Sequence, residues 1–279
     1  MADNHMLIDA RNALYRAIYA VKSDRRPGPK YHNITILLRQ IHSWIMMYQP
    51  TSINIFWDAP RREVWRRSLH EGYKDRASSG YVENISEDLR ESTNIAKELF
   101  THMNVRQFER PSMEADDLIY AAVSVLHPKP CIVISSDSDM VQIPFSFSSC
   151  KLYDPGKKKR IDTPHISPVW QKALVGDKSD CIPGYKGIGP KKSVNLLENH
   201  GLLNEFLSTN GSSLFYKNLL LIDLALCPKL LHNQAYALKM LSGRIEYDDK
   251  SINNLIMKYK INGLLQEYND LIIPFKFLV

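Results

Sequence analysis

Residues 131–137, Cys131–Ile132–Val133–Ile134–Ser135–Ser136–Asp137, decide the fold. Two other stretches repeat their form: Met6–Leu7–Ile8–Asp9 and Ser52–Ile53–Asn54–Ile55–Phe56–Trp57–Asp58. Each is a short, nearly unbroken apolar run that stops on an aspartate. Such runs read as strands buried on both faces, which calls for a parallel sheet covered by helices. In sheets of this kind ligands bind beyond the carboxyl ends of the strands, so Asp9, Asp58 and Asp137 should share one edge. Further acids join them in Glu114–Ala115–Asp116–Asp117, in Asp139 and in Gly176–Asp177–Lys178–Ser179–Asp180. Gathered together, these carboxylates would raise one another's pKa values unless divalent cations lay between them.

Working outward, the pattern predicts a strand over 6–9, a helix over 11–22, a Pro/Gly loop over 24–31, a helix over 33–48 and a strand over 52–57. A basic segment, 61–80, follows, then a helix over 86–102, a short strand near 104–108, a helix over 113–126 and a strand over 131–136. Asp154–Pro155–Gly156 reads as a turn between two short strands. Alternating strands and helices argue an α/β domain over 1–164 with a mainly parallel central sheet flanked by helices. From 165 the strand signal fades, and short helices are broken by Pro183, Gly184, Gly187, Gly189, Pro190 and Gly201. Residues 165–279 are therefore expected to form a helical subdomain. No solenoid repeat or low-complexity tract is present.

The chain of 279 residues is long enough for a full core and carries a formal charge of +6. A net positive charge favours a polyanionic partner such as nucleic acid. The four cysteines, Cys131, Cys150, Cys181 and Cys227, show neither Cys-x-x-Cys pairing nor zinc-like spacing with His, so free thiols are expected. Met1–Ala2–Asp3–Asn4–His5 has acid where a signal peptide needs base, and Leu219–Leu220–Leu221–Ile222 meets Asp223 long before membrane-spanning length. The expectation is a cytoplasmic protein with no membrane partner.

Glu114 and Asp117, three apart, share a helix face. Asp116 joins them only if the cluster sits in the first helical turn, where Pro111–Ser112 upstream favours it. The plain alternative is a set of N-terminal capping acids. Asp137 and Asp139, two apart, point the same way in extended chain. Oxygen-only ligands select hard cations, Mg²⁺ or Mn²⁺, and two such ions about 4 Å apart serve in-line attack on a phosphodiester.

Arg61–Arg62–Glu63–Val64–Trp65–Arg66–Arg67 and Tyr73–Lys74–Asp75–Arg76 interleave bases with aromatics, which suits phosphate tracking and base stacking. The alternative is a solvated face with Trp65 in the core. In Gly184–Tyr185–Lys186–Gly187–Ile188–Gly189–Pro190–Lys191–Lys192–Ser193–Val194, Gly187 and Gly189 allow a tight turn before a helix. Backbone N–H groups there can approach a phosphate, and Lys186, Lys191 and Lys192 supply charge.

Taken in order from Asp9 through Asp180 to Leu197, these motifs resemble the structure-specific 5′-nuclease superfamily of flap endonucleases and 5′-3′ exonucleases. They are most similar to its stand-alone bacteriophage members and to the 5′-nuclease domain of bacterial DNA polymerase I. Leu214–Phe215 and Asn218–Leu219–Leu220–Leu221–Ile222–Asp223–Leu224 also resemble the phage proteins, so the resemblance covers nearly the whole chain. It implies a PIN-like sheet, a helical arch over 61–85 and a helix–three-turn–helix over 176–198 that grips duplex DNA. It implies a first metal group of Asp9, Asp58, Glu114, Asp116 and Asp137, and a second of Asp139, Asp177 and Asp180 with Asp117 nearby. Mg²⁺ would be the cofactor, replaceable by Mn²⁺, with K⁺ at the helix–three-turn–helix.

The resemblance further implies that Lys74 and Arg76 contact the scissile phosphate. Many relatives have one more residue between that lysine and arginine. Arg66, Arg67, Tyr73, Lys186, Gly187, Gly189, Lys191 and Lys192 would meet DNA. The implied substrates are DNA with a 5′ flap, nick or duplex end and RNA–DNA hybrid, cut during flap and primer removal. A separate polymerase or single-strand-binding protein would be a partner, and the protein would be a monomer. The rivals are a ribonuclease on a similar acidic domain, which gives no reason for the Gly-Ile-Gly turn, and a DNA-binding scaffold without catalysis, which gives none for the full set of acids.

Overall fold

A computed structural model describes residues 4–23, 30–75 and 83–278. In chain order, the first half contains β1 (His5–Asp9), α1 (Ala10–Ser23), α2 (His32–Tyr48), β2 (Ser52–Phe56), α3 (Arg66–Leu69), α4 (Glu83–Phe100), β3 (Arg106–Phe108) and α5 (Ala115–Leu126). It continues with β4 (Cys131–Ile134), α6 (Gln142–Ser146), β5 (Cys150–Asp154) and β6 (Lys159–Ile161). Helices α7 (Pro168–Val175), α8 (Pro190–Glu198), α9 (His200–Asn210) and α10 (Ser213–Ile222) follow. The chain then forms α11 (Leu230–Leu241), α12 (Asp249–Tyr259), α13 (Asn262–Gln266) and α14 (Tyr268–Leu271).

The six strands lie in the order β3-β2-β1-β4-β5-β6, parallel except for β6. The unbroken apolar runs are buried on both faces, as the sequence predicts. Met6, Ile8, Ile53, Ile55, Ile132 and Ile134 face α1, α2 and α4, whereas Leu7, Phe56, Val133 and Leu152 face α5. This alternation is the period of two of an extended chain, and apolar residues at both phases force cover on both sides. β4 is shorter than the expected 131–136, and just beyond its end the Ser135 hydroxyl donates to Asp9. The turn at Asp154–Pro155–Gly156 joins β5 to β6, and Asp154 accepts from the backbone of Gly156 and Lys157.

The helices expected after 165 divide their burial. α7 and α10, with parts of α9, enclose a core of their own that includes Val169, Leu174, Leu203, Phe215, Leu219 and Ile222. α11 returns to the α5 side of the sheet, and Ile252, Leu255, Ile256, Leu264, Leu271 and Phe275 cover the other side. The four cysteines are free thiols. No described helix is long and apolar enough to cross a membrane. Of the expected arch over 61–85, residues 76–82, Arg76 among them, lie outside the described residues.

The link from α7 to α8 is held by close backbone contact. α7 ends at Gly176, whose φ of +80° suits glycine. Gly184 lies against that end, where an added Cβ would stand 1.9 Å from the Val175 carbonyl oxygen. Between them Asp177 and Ile182 exchange two backbone hydrogen bonds of 2.8 Å. Gly184→Ala must therefore push the two segments apart, at a cost of about 1–3 kcal/mol. A lower urea midpoint with an unchanged slope is the expected result; a wild-type midpoint would show that the turn can yield.

Candidate active site

Strand order places the acids. β2, β1 and β4 are consecutive neighbours about 4.8 Å apart, so the chain leaving them brings Asp58, Asp9 and Asp137 to one edge. Each carboxylate is tied locally. Asp9 accepts from Asn12 N at 3.0 Å and from Ser135 Oγ at 2.9 Å. Asp58 accepts from Ala115 N at 2.8 Å, which seats the start of α5 beside β2, and lies 3.7 Å from Arg11. Asp137 accepts from Asp139 N at 2.9 Å. Burial, then repulsion from Asp58 and Asp137, pushes the Asp9 carboxyl from 3.8 up to about 7. Burial raises Asp58 as well, against the pull of Arg11.

α5 begins with a reciprocal cap, in which Glu114 and Asp117 each accept from the other's end of the first turn. The capping alternative and the cluster are thus both realised by the same residues. Carboxylate oxygens of Glu114, Asp116 and Asp117 lie within 4.8 Å of one another. The oxygens of Asp117 are already taken. It accepts from Arg66 Nη2 at 2.8 Å, Arg66 Nη1 at 3.1 Å and Trp65 Nε1 at 3.0 Å. Asp117 therefore sits with Glu114 and Asp116 as a core counter-ion to Arg66.

Arg66 requires correction. It was expected to track DNA, yet it is 1% exposed, and it also donates to Glu114 at 2.6 Å and to the Leu221 carbonyl at 2.8 Å. A guanidinium fork satisfied on several sides within the core has no face left for a phosphate. Tyr73 is likewise no stacking platform, being 3% exposed. Its hydroxyl lies 3.1 Å from Glu114 and 3.3 Å from Asp180, and donates to one of them at a time. Arg67 is half-buried and donates to the Tyr73 carbonyl.

Lys74 stands between the two acidic groups. Its ammonium is 2.6 Å from Glu114 and 3.7 Å from Asp180, and its backbone N–H donates to the Asp180 carbonyl. Burial would raise Glu114, but Arg66 and Lys74 together hold its carboxyl below the usual range. Asp116 has weaker cationic contact, 3.7 Å from Arg66, and burial keeps it well above that range.

The second group, Asp139, Asp177 and Asp180, also has carboxylate oxygens within 4.8 Å of one another. Lys172 of α7 contacts both Asp139 and Asp177. Burial, opposed by Lys172 but reinforced by Asp137, lifts the Asp139 carboxyl to about 6. Burial would also raise Asp177, but Lys172 and Ser179 hold it below the ordinary range. Sequence reasoning missed Lys172, Arg11, Asn12 and Ser135. Proximity to Asp9 or Asp137 was a usable signal for the last three, whereas Lys172 meets Asp139 across 33 residues.

At the α7–α8 turn, Gly189 is the N-cap of α8, Pro190 opens the helix, and Lys186, Lys191 and Lys192 are exposed around it. Gly187 has φ +77°, and an added Cβ at either glycine would meet nothing within 4 Å. The open helix start and its lysines are a surface suited to an anion. In the acidic groups the donors are all carboxylate oxygens, and burial, with repulsion between neighbours, has raised several of their pKa values. Added positive charge is therefore favoured there, and the residues fit hard divalent cations.

Two consequences are measurable. A carboxyl whose folded pKa lies above its unfolded value holds more protons in the folded chain through the window between them. Its contribution to stability accordingly falls as pH rises through that window. For Asp9 the window runs from 3.8 to about 7. Asp9→Asn should raise the melting temperature in EDTA, more at about pH 8 than at about pH 5; a gain independent of pH would exclude this origin. Arg66→Met leaves Glu114 and Asp117 buried without their partner and should cost about 3–5 kcal/mol in denaturant titration.

The model of the 5′-3′ exonuclease N-terminal, resolvase-like domain matches residues 4–173. The 5′-3′ exonuclease of Mycoplasma pneumoniae is 28% identical over 299 residues, covering 96% of this chain and 99% of that protein. DNA polymerase I of Rhizobium leguminosarum is 27% identical over 225 residues, covering 74% of this chain, which spans 21% of that protein's length. Among solved structures, T5 5′-exonuclease with bound zinc has the same fold, with a TM-score of 0.64 and 18% identity over 93% of this chain and 99% of that one. With the family model matching well over half of its residues, this chain belongs to the 5′-3′ exonuclease family.

Proposed function

We propose that the protein is a metal-dependent, structure-specific 5′-nuclease that hydrolyses phosphodiesters near the 5′ ends of branched or duplex DNA. The observation that carries this reading is the meeting of two acidic groups at the carboxyl edge of the sheet, joined by Lys74 and Tyr73, in a chain of this family. Asp9, Asp58, Glu114, Asp116 and Asp137 would hold one divalent cation, and Asp139, Asp177 and Asp180 a second. Mg²⁺ is the natural candidate and Mn²⁺ a substitute. What such cations supply at a phosphodiester is activation of water and screening of charge on the phosphate oxygens.

The chain's own residues supply placement. The exposed lysines and the α8 N-terminus would hold duplex backbone, with K⁺ as a further ligand at 176–198. Lys74 would turn from Glu114 to the scissile phosphate as substrate enters, aided by Arg76 from the arch. The substrates we infer are 5′ flaps, nicks and duplex ends, with RNA–DNA hybrid included, cut by a monomer alongside a separate polymerase. Labelled flap, nicked, blunt and single-stranded substrates, incubated in Mg²⁺ or in EDTA, test the assignment. Cleavage near 5′ junctions in Mg²⁺ alone is expected, and full cleavage in EDTA would overturn it.

Two variants separate chemistry from grip. Lys74→Ala should lose about 2–4 kcal/mol of transition-state stabilisation, the range for one preorganised charge, with a smaller loss of DNA affinity. Gly189→Val has room in the free protein, so its stability should hold. Its binding to duplex-containing substrates, measured in Ca²⁺, should weaken more than its binding to single strands. Equal loss on both would place the duplex contact elsewhere.

A further inference from the structure

We propose that Lys172 is a built-in counter-ion of the second acidic group, holding Asp139 and Asp177 together until a divalent cation takes its place, and thereby sets how tightly that cation binds. The inference rests on the reading of Asp139, Asp177 and Asp180 as a cation site. It concerns a residue of α7 that neither the sequence motifs nor that reading uses.

Three observations support it. The Lys172 ammonium contacts two of the three carboxylates, which come from separate segments of chain and have oxygens within 4.8 Å of each other and of Asp180. A divalent ion held by those oxygens would lie within a few ångströms of the ammonium, where like charges repel strongly. Lys172 can also leave. Arg66 is fixed by the Leu221 carbonyl and is almost fully buried, whereas the Lys172 side chain is 20% exposed on a flexible stem. Beside it lies a cavity of about 290 Å³ lined by Asp139, Gln171, Lys172, Val175 and Gly176, with room for the stem to withdraw.

The energetic consequence follows from competition. With the ammonium in place, the cation-competent arrangement is a fraction of the population, and apparent affinity is reduced by that fraction. The first acidic group carries cations of its own, Arg11, Arg66 and Lys74, none of which contacts Asp139 or Asp177. Lys172 should therefore set the affinity of the second group without altering that of the first.

The test is Mn²⁺ binding to the whole protein without DNA, followed by calorimetry and by electron paramagnetic resonance of the free ion. Lys172→Met removes the charge at similar length and should tighten one Mn²⁺ site by about tenfold or more while leaving the other unchanged. Lys172→Arg, which keeps the charge, should not tighten it. In EDTA Lys172→Met should melt below wild type, because Asp139 and Asp177 lose their partner, and Mn²⁺ should reverse that ranking. Should Lys172→Met fail to fold, Lys172→Gln gives the same comparison while still donating to a carboxylate. Identical isotherms for wild type and the charge-removing variant would overturn the proposal. So would an unchanged isotherm with weakened duplex binding in EDTA, which would make Lys172 a phosphate contact instead. Absence of Mn²⁺ binding in wild type and variants alike would overturn the reading of the acidic groups themselves, and the proposal with it.

Discussion

Negative charge packed against a low-dielectric core needs a positive partner, and much of this molecule is arranged around that need. The partners differ in how firmly they are committed. Arg66 is permanent: its fork spans Glu114, Asp117 and a main-chain carbonyl, so removing it would expose an unbalanced core. Lys74 and Lys172 are single ammonium groups at the ends of flexible stems, each shared between carboxylates of different segments. The fixed cation keeps the scaffold standing, and the movable ones leave the facing oxygens available for other ligands.

Topology makes the charge problem unavoidable. Because β1 and β4 are central and β2 flanks β1, three strand ends carrying aspartate emerge side by side. The strands stay in register through apolar residues on both faces, so the ends have little freedom to splay. α5 starts against the same edge, held by Asp58, and brings Glu114 and Asp116 with it. The same close packing that stabilises the sheet therefore sets the spacing of the acids.

Much of this was legible in the sequence, and the failures have a common cause. Strand ends and the first turn of α5 depend on local pattern: period, run length and the offset of acids from an apolar stretch. Asp9, Asp58 and Asp137 were therefore legible as strand-end acids and Glu114, Asp116 and Asp117 as first-turn acids, whereas their division into metal groups was implied by the family resemblance. Arg66 and Arg67 look alike in the chain, and nothing local reveals that one reaches Leu221 across 155 residues while the other stays half-buried. Tyr73 was misread for the same reason, since its acidic partners lie 41 and 107 residues away. A basic or aromatic residue declares its charge or its ring, but its neighbours are chosen by tertiary packing.

The stitching of Lys74 to Asp180, by main chain and side chain alike, also bears on biosynthesis. A nascent polypeptide made only through β6 already has every strand of the sheet and all the acids of the first group. It still lacks Asp177, Asp180, Lys172 and the Leu221 carbonyl that anchors Arg66. The charge network thus closes only after the late helices have been translated and docked. Until then the Arg66 guanidinium lacks the carbonyl that anchors it in the folded protein.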